Sequence, residues 1–140
     1  MLQVAVQIIY LFFAFKISIS DLRYRLILNR DLLFFLIFSI ALNFSRFTVE
    51  NLKSLTFISL TCAALHVIFD GKIGAGDLKL FWVISFWTSS FTQWLESLTI
   101  TWLLGGLFAI SYGGYFYLRG SRKRSIPFAP FIFLGFLACR

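Results

Sequence analysis

Apolar residues fall into six runs separated by short polar gaps: 2–20, 32–44, 55–69, 78–91, 94–118 and 126–139. Read as a helix, the first run of 19 residues reaches about 28 Å, the thickness of a bilayer's hydrocarbon core. The second and last, at 13 and 14 residues, reach only about 20 Å. Paired glycines, Gly105-Gly106 and Gly113-Gly114, interrupt the fifth run, and Pro127 and Pro130 punctuate the last. The pattern predicts an all-α, polytopic membrane protein of about six transmembrane helices, with residues 1–140 forming a single transmembrane domain. No basic residue precedes the first run and no small-residue cleavage site follows it, so a retained span is expected rather than a signal peptide.

Composition sharpens this reading. Of 140 residues, 59% are hydrophobic and only 14% charged, against about 25% charged in a soluble domain, so polar groups cannot cover this chain's surface. Its solvent is expected to be the lipid bilayer. The net charge of +7 does not point to nucleic acid, because the basic residues cluster in the gaps between apolar runs. Such clustering is a topology signal: Lys and Arg accumulate on the cytoplasmic side. The gaps at 21–31, 70–79 and 119–124 carry three, two and four basic residues, whereas the opposite side holds Arg46, Lys53 and Arg140. Both termini are therefore expected outside, with Asp21 and Asp77 at the cytoplasmic boundary. Lys16, near the end of the first run, is expected to snorkel toward headgroups.

Few side chains can carry chemistry. Cys62 and Cys139 lie apart within apolar runs, with no C-x-x-C spacing, so zinc and a disulfide framework are not expected. His66 has one acid near it, Asp70, which makes a poor metal site; packing or hydrogen bonding is the expected role. No nucleophile elbow or phosphate-binding loop occurs. Asp31, just before an apolar run, reads as a helix cap, and Asp70 and Glu96 as solvated charges. The stretch Gly74-Ala-Gly76-Asp77 is more pointed. Glycines permit tight turns and close backbone approach, and an aspartate at the centre of a bilayer costs about 2.5–3.5 kcal/mol. A cap at a helix start remains an equal reading for Asp77 by itself. Asp21 ends its helix, where the dipole opposes a negative charge, so a purely structural role suits it poorly unless Arg23 or Arg25 partners it. Two carboxylates brought together can share one proton, one activating water and the other serving as acid. Helix position predicts that Asp77 ionises first, as base, and that Asp21 holds the proton. That chemistry needs no metal and no cofactor. The alternative from another class is a non-enzymatic assembly or transport component using both aspartates as a proton or ion relay.

Three segments resemble the type IV prepilin peptidase family of Gly-x-Gly-Asp membrane aspartyl proteases. Asp21-Leu-Arg-Tyr-Arg-Leu-Ile-Leu-Asn29 is similar to the segment around the family's first catalytic aspartate, commonly D-x-R-x-x-x-I-P-N. Gly74-Ala-Gly-Asp77-Leu-Lys79-Leu is similar to the segment around the second, and Pro127-Phe-Ala-Pro130-Phe-Ile-Phe-Leu-Gly135 to the closing Pro-rich motif. Leu28 stands where proline is usual and Ala129 where glycine is frequent.

The resemblance implies an endopeptidase of the inner (cytoplasmic) membrane, cutting the basic leader from a prepilin or pseudopilin at the cytoplasmic face. It implies Asp21 and Asp77 as the catalytic dyad, with Gly74 and Gly76 letting the loop approach the substrate backbone. Arg23, Arg25, Asn29 and Lys79 are expected to orient the loop or meet substrate, Arg23, Arg25 and Lys79 through an acidic residue. The substrate's apolar helix is expected to dock between spans, helped by the fifth run's glycine pairs. The paired C-x-x-C motifs of the long bifunctional members do not occur, so N-methylation is not expected. The size is similar to the short Tad/Flp-type peptidases. Oligomeric state stays open.

Overall fold

The computed structural model describes residues 2–44, 48–70, 73–118 and 126–139. Among them all regular structure is helical: α1 (Leu2–Tyr24), α2 (Asn29–Asn43), α3 (Val49–Ile68), α4 (Ala75–Ile84), α5 (Phe91–Leu118) and α6 (Ala129–Ala138), with a 3-10 turn at Ser85–Trp87. Two helices, Val49–Ile68 and Phe91–Gly113, are long and apolar enough to cross a membrane. The basic cluster 119–124, Lys72, Arg46 and Arg140 lie outside the described residues.

The helices are apolar nearly all round, yet α1 and α6 each bury one stripe. Tyr10, Phe13, Ala14 and Ile17 of α1 follow the three- and four-residue spacing of one helical face, as do Ala129, Ile132, Phe133 and Phe136 of α6. Tyr10 sits at the meeting point. Its ring lies 5.1–6.1 Å from those of Phe35, Trp87, Phe133 and Phe136, within the range of favourable aromatic pairs. The opposite faces leave Phe15, Leu33, Leu60, Val67, Leu103 and Ile110 more than half exposed. A soluble monomer rarely exposes so continuous an apolar coat, which hydrocarbon would solvate at no cost.

Two run assignments are corrected. The fourth run is not one helix: α4 ends at Ile84, and Phe91 already belongs to α5. Side chains take over the backbone there. Ser85 Oγ donates to Trp82 O and Thr88 Oγ1 to Ser85 O, competing with the helical ladder. Ser90 Oγ then accepts from Gln93 N while Gln93 Oε1 accepts from Ser89 N, close to a capping box that starts α5. The glycine pairs, conversely, do not interrupt α5, which runs unbroken for 28 residues.

The two ten-residue helices form the centre. At about 15 Å, α4 and α6 are too short to cross a bilayer and are wedged among the longer ones. Trp94 Nε1 donates to Phe81 O at 3.0 Å, fastening α5 to α4. Against α6, Gly135 lets the backbones of α5 and α6 touch: a Cβ there would strike Thr101 Oγ1 and come within 2.6 Å of Ser97 O. Gly105 is likewise occupied, by the Phe128 ring, whereas Gly106 and Gly113 face open space. Helix α3 stands outermost, buries Ile58, and is tied in by the Trp82 Nε1–Ser59 Oγ bond of 2.8 Å.

Candidate active site

Four helix ends converge at one end of the bundle: the last turn of α1, the end of α3, and the starts of α4 and α6. With the lead-in to α2 and the flank of α5, they enclose a cavity of about 760 Å³. Asp21 and Asp77, separated by 56 positions in the chain, both line it. Most of the remaining wall is apolar, including Leu65, Phe69, Phe81, Leu98, Trp102 and Phe128.

Asp21 is buried in the last turn of α1. Its Oδ2 accepts the backbone N–H of Ala129 at 2.8 Å. Ala129 is the first residue of α6, and Pro130 follows it. Proline has no N–H of its own and its fixed φ suits a first turn. The closing Pro-rich segment therefore presents a helix N-terminus to Asp21. The unfavourable dipole of α1's end is offset by the favourable dipole of α6's start. Because the donor is a main-chain amide, alanine supplies it as well as glycine would.

Asp77 is the third residue of α4, so the helix cap is Gly74 and not the aspartate. The backbone of Gly74 (φ −57°, ψ 127°) is open to any residue. Its missing side chain is what matters, since a Cβ there would lie 2.8 Å from Asp77 Oδ2. Gly76 faces Ile27, with only 3.2 Å between its would-be Cβ and that of Ile27, so it lets α4 come against the 21–31 segment. Asp77 heads a helix too short to span, at the edge of the apolar run. Burial pushes its carboxyl up to about 6, and the negative charge of Asp21 adds to the rise. The direction is opposite to the early ionisation of Asp77 expected from helix position. The dipole at an exposed N-terminus supplies about 0.3–1 kcal/mol; a rise from 3.8 to about 6 corresponds to about 3 kcal/mol in the opposite sense.

The other expected site residues divide. Lys79 Nζ donates to Asn29 Oδ1 at 3.1 Å, joining α4 to the first residue of α2. Both are exposed and lie off the cavity wall, so they tie together the segments carrying the two aspartates. Arg23 is exposed and does not line the cavity. Arg25 does line it, on a left-handed backbone (φ 56°). Neither arginine makes an ion pair with Asp21 among the described residues.

Asp31 is corrected. It is the third residue of α2, whose cap is Leu28, and it is buried. Its Oδ1 meets Lys16 Nζ at 2.9 Å, with Arg30 Nε at 3.9 Å. Lys16 thus turns inward to Asp31 rather than only outward to headgroups. Sequence reasoning missed this pair because residues 16 and 31 meet only once α1 and α2 pack. It also missed the Ala129 amide, which carries no side-chain signal. His66 is exposed and lines a shallow groove with Ser59, Cys62 and Lys79. No group of three metal-ligating side chains occurs among the described residues.

Comparison with known proteins gives two matches. Residues 8–110 match the type IV leader peptidase family. The chain is also 30% identical over 124 residues, covering 85% of its own length, to a prepilin leader peptidase/N-methyltransferase of Bacillus subtilis. It spans about half (48%) of that relative's length. No solved structure matches.

Proposed function

Because the chain belongs to the type IV leader peptidase family, we propose that it is a membrane-embedded aspartic endopeptidase that removes the leader of a type IV prepilin or pseudopilin. The observation that supports this most directly is the single cavity lined by both Asp21 and Asp77. Asp21, with the Ala129 amide on one oxygen, acts as the base that activates water. Asp77, raised by burial and by its neighbour's charge, holds the proton and delivers it to the scissile carbonyl. The apolar wall receives the start of the substrate's membrane helix. On collapse, Asp21 passes the proton taken from water to the leaving amide nitrogen, and a hydroxyl of the tetrahedral intermediate returns its proton to Asp77 as the C–N bond breaks.

The chain crosses the inner membrane several times, with the converging helix ends at the cytoplasmic face. The arginines between residues 21 and 31 support that orientation. The test is incubation of detergent-purified protein with a prepilin, followed by mass spectrometry for leader loss. Wild type cleaves, and Asp21→Asn and Asp77→Asn each abolish cleavage while accumulating normally. Failure of the wild type in detergent, with function restored only across a proton gradient, would favour a relay instead.

A further inference from the structure

Away from the two aspartates, a groove of about 400 Å³ lies between α3 and α4. Its wall runs from Ser59 to His66 along α3, about 10 Å of helix, and from Ala75 to Trp82 along α4. The end of α3 and the start of α4 meet at the aspartate cavity, so His66 and Ala75 mark the groove's mouth. Its deep end is closed by the Trp82 Nε1–Ser59 Oγ bond of 2.8 Å. Polarity is graded between the two. His66 and Lys79 are exposed toward the mouth, whereas Cys62, Ala63, Leu78 and Trp82 make an apolar floor. No acidic side chain lines the groove, and Asp77, two positions before Lys79, lines the other cavity. An ammonium has three donors, and the Lys79 bond to Asn29 uses one. Beside the groove, Leu60 and Val67 of α3 are exposed, so this flank is one that hydrocarbon solvates.

Charge and size select the occupant. Two turns of helix, about 10 Å across and about 11 Å long, fill roughly 850 Å³, twice what the groove holds. A soluble anion would pair with Lys79 but leave the apolar floor uncovered. An anionic phospholipid answers both ends, with phosphate oxygens on the cation and one acyl chain along the floor, and basic pockets between membrane helices favour such headgroups. We infer that the α3–α4 groove is a binding site for one anionic phospholipid, its headgroup held by Lys79 and His66 and one chain lying over Cys62 and Trp82. The site is separate from the aspartate cavity and does not depend on the peptidase reading.

The intact chain in detergent micelles carries its own reporter, because Cys62 lies on the groove floor and Cys139, at the end of α6, does not. Methanethiosulfonate labelling of both thiols is timed with phosphatidylglycerol or phosphatidylcholine added, and read by peptide mass. Phosphatidylglycerol slows Cys62 at least fivefold more than phosphatidylcholine does, with Cys139 alike in both. Lys79→Gln, which keeps a donor for Asn29 and removes the charge, brings the two lipids level. In parallel, phosphatidylglycerol with a diazirine midway along one chain crosslinks wild type within residues 59–66 or 75–82. That reading decides the matter if Cys62 fails to label or the variant fails to fold. Equal protection by both lipids, or by neither, overturns the inference, as does crosslinking spread over the other helices. Protection by glycerol phosphate alone assigns the groove to a soluble anion, by a prepilin peptide to substrate, and by raised protein concentration to a second copy; each overturns it. No cleavage is read, so the peptidase reading stands or falls separately.

Discussion

The main-chain N–H of Ala129 points at Asp21 from 108 positions away, 2.8 Å from Oδ2. A helix that ends on an aspartate is thereby completed by one that begins there. On the proposed reading, Asp21 is the base and Asp77 holds the proton. The pH dependence of kcat/KM is expected to be bell-shaped, with its upper limb near 6 as Asp77 loses its proton. Asp21 supplies part of Asp77's rise, so in Asp21→Asn the Asp77 carboxyl should ionise at lower pH, read by NMR of the labelled carboxyl. An unmoved Asp77 would show that the two charges are not coupled.

Asp77 is also expected to cost stability. Its folded value lies above its unfolded one, so the contribution is present below about pH 4 and lost as pH rises through 6. Above that, an ionised and half-buried carboxylate remains. Asp77→Asn should therefore raise the unfolding midpoint in detergent at pH 8, by at most about 3 kcal/mol and less where solvent reaches the group. At pH 4 the two proteins should unfold together. A variant less stable than wild type at pH 8 would contradict this.

Lys16 and Asp31 bracket Asp21 in the chain and close on each other at 2.9 Å, with Asp31's side chain only 3% exposed. Removing the lysine leaves the buried Asp31 charge with only the longer Arg30 Nε contact of 3.9 Å. Lys16→Met is expected to cost about 1–3 kcal/mol, below the full penalty for a buried pair because Lys16 is itself 44% exposed. Adding Asp31→Leu to it should recover most of the loss, which denaturant titration in micelles can follow. Asp31→Asn should lower stability while preserving cleavage by the folded fraction, unlike Asp21→Asn.

What could be read ahead follows from what is local. Helices α1, α2, α3 and α5 were visible because lipid demands long apolar runs, although α1 continues to Tyr24 and α3 starts at Val49, through residues the pattern assigns to polar gaps. The break after Ile84 was hidden, since Ser85 and Thr88 end a helix through their own hydroxyls without an obvious breaker. Asp21 and Asp77 stood out by position and by glycine context. The raised carboxyl of Asp77 did not, because it depends on the enclosure that Phe81, Trp102 and Phe128 help to form. The Lys79–Asn29 bond joined two residues already singled out, yet nothing in either segment alone named the other.

Gly74 offers the sharpest separation of site from scaffold. Its backbone conformation is ordinary, its own surface is exposed, and α4 needs no side chain from it. The one thing a methyl group would meet closely is Asp77, with Oδ2 at 2.8 Å and Cγ at 3.6 Å. Gly74→Ala should therefore fold with an unfolding midpoint within about 0.5 kcal/mol of wild type, as expected of a surface substitution. It should still displace the Asp77 carboxyl by several tenths of an ångström, and misplacement on that scale is costly in a site that works by orientation. Cleavage should fall at least tenfold in kcat, with KM nearly unchanged because the apolar wall is untouched. Should Gly74→Ala cleave at the wild-type rate, the Asp77 oxygen beside Gly74 would not be one the reaction uses.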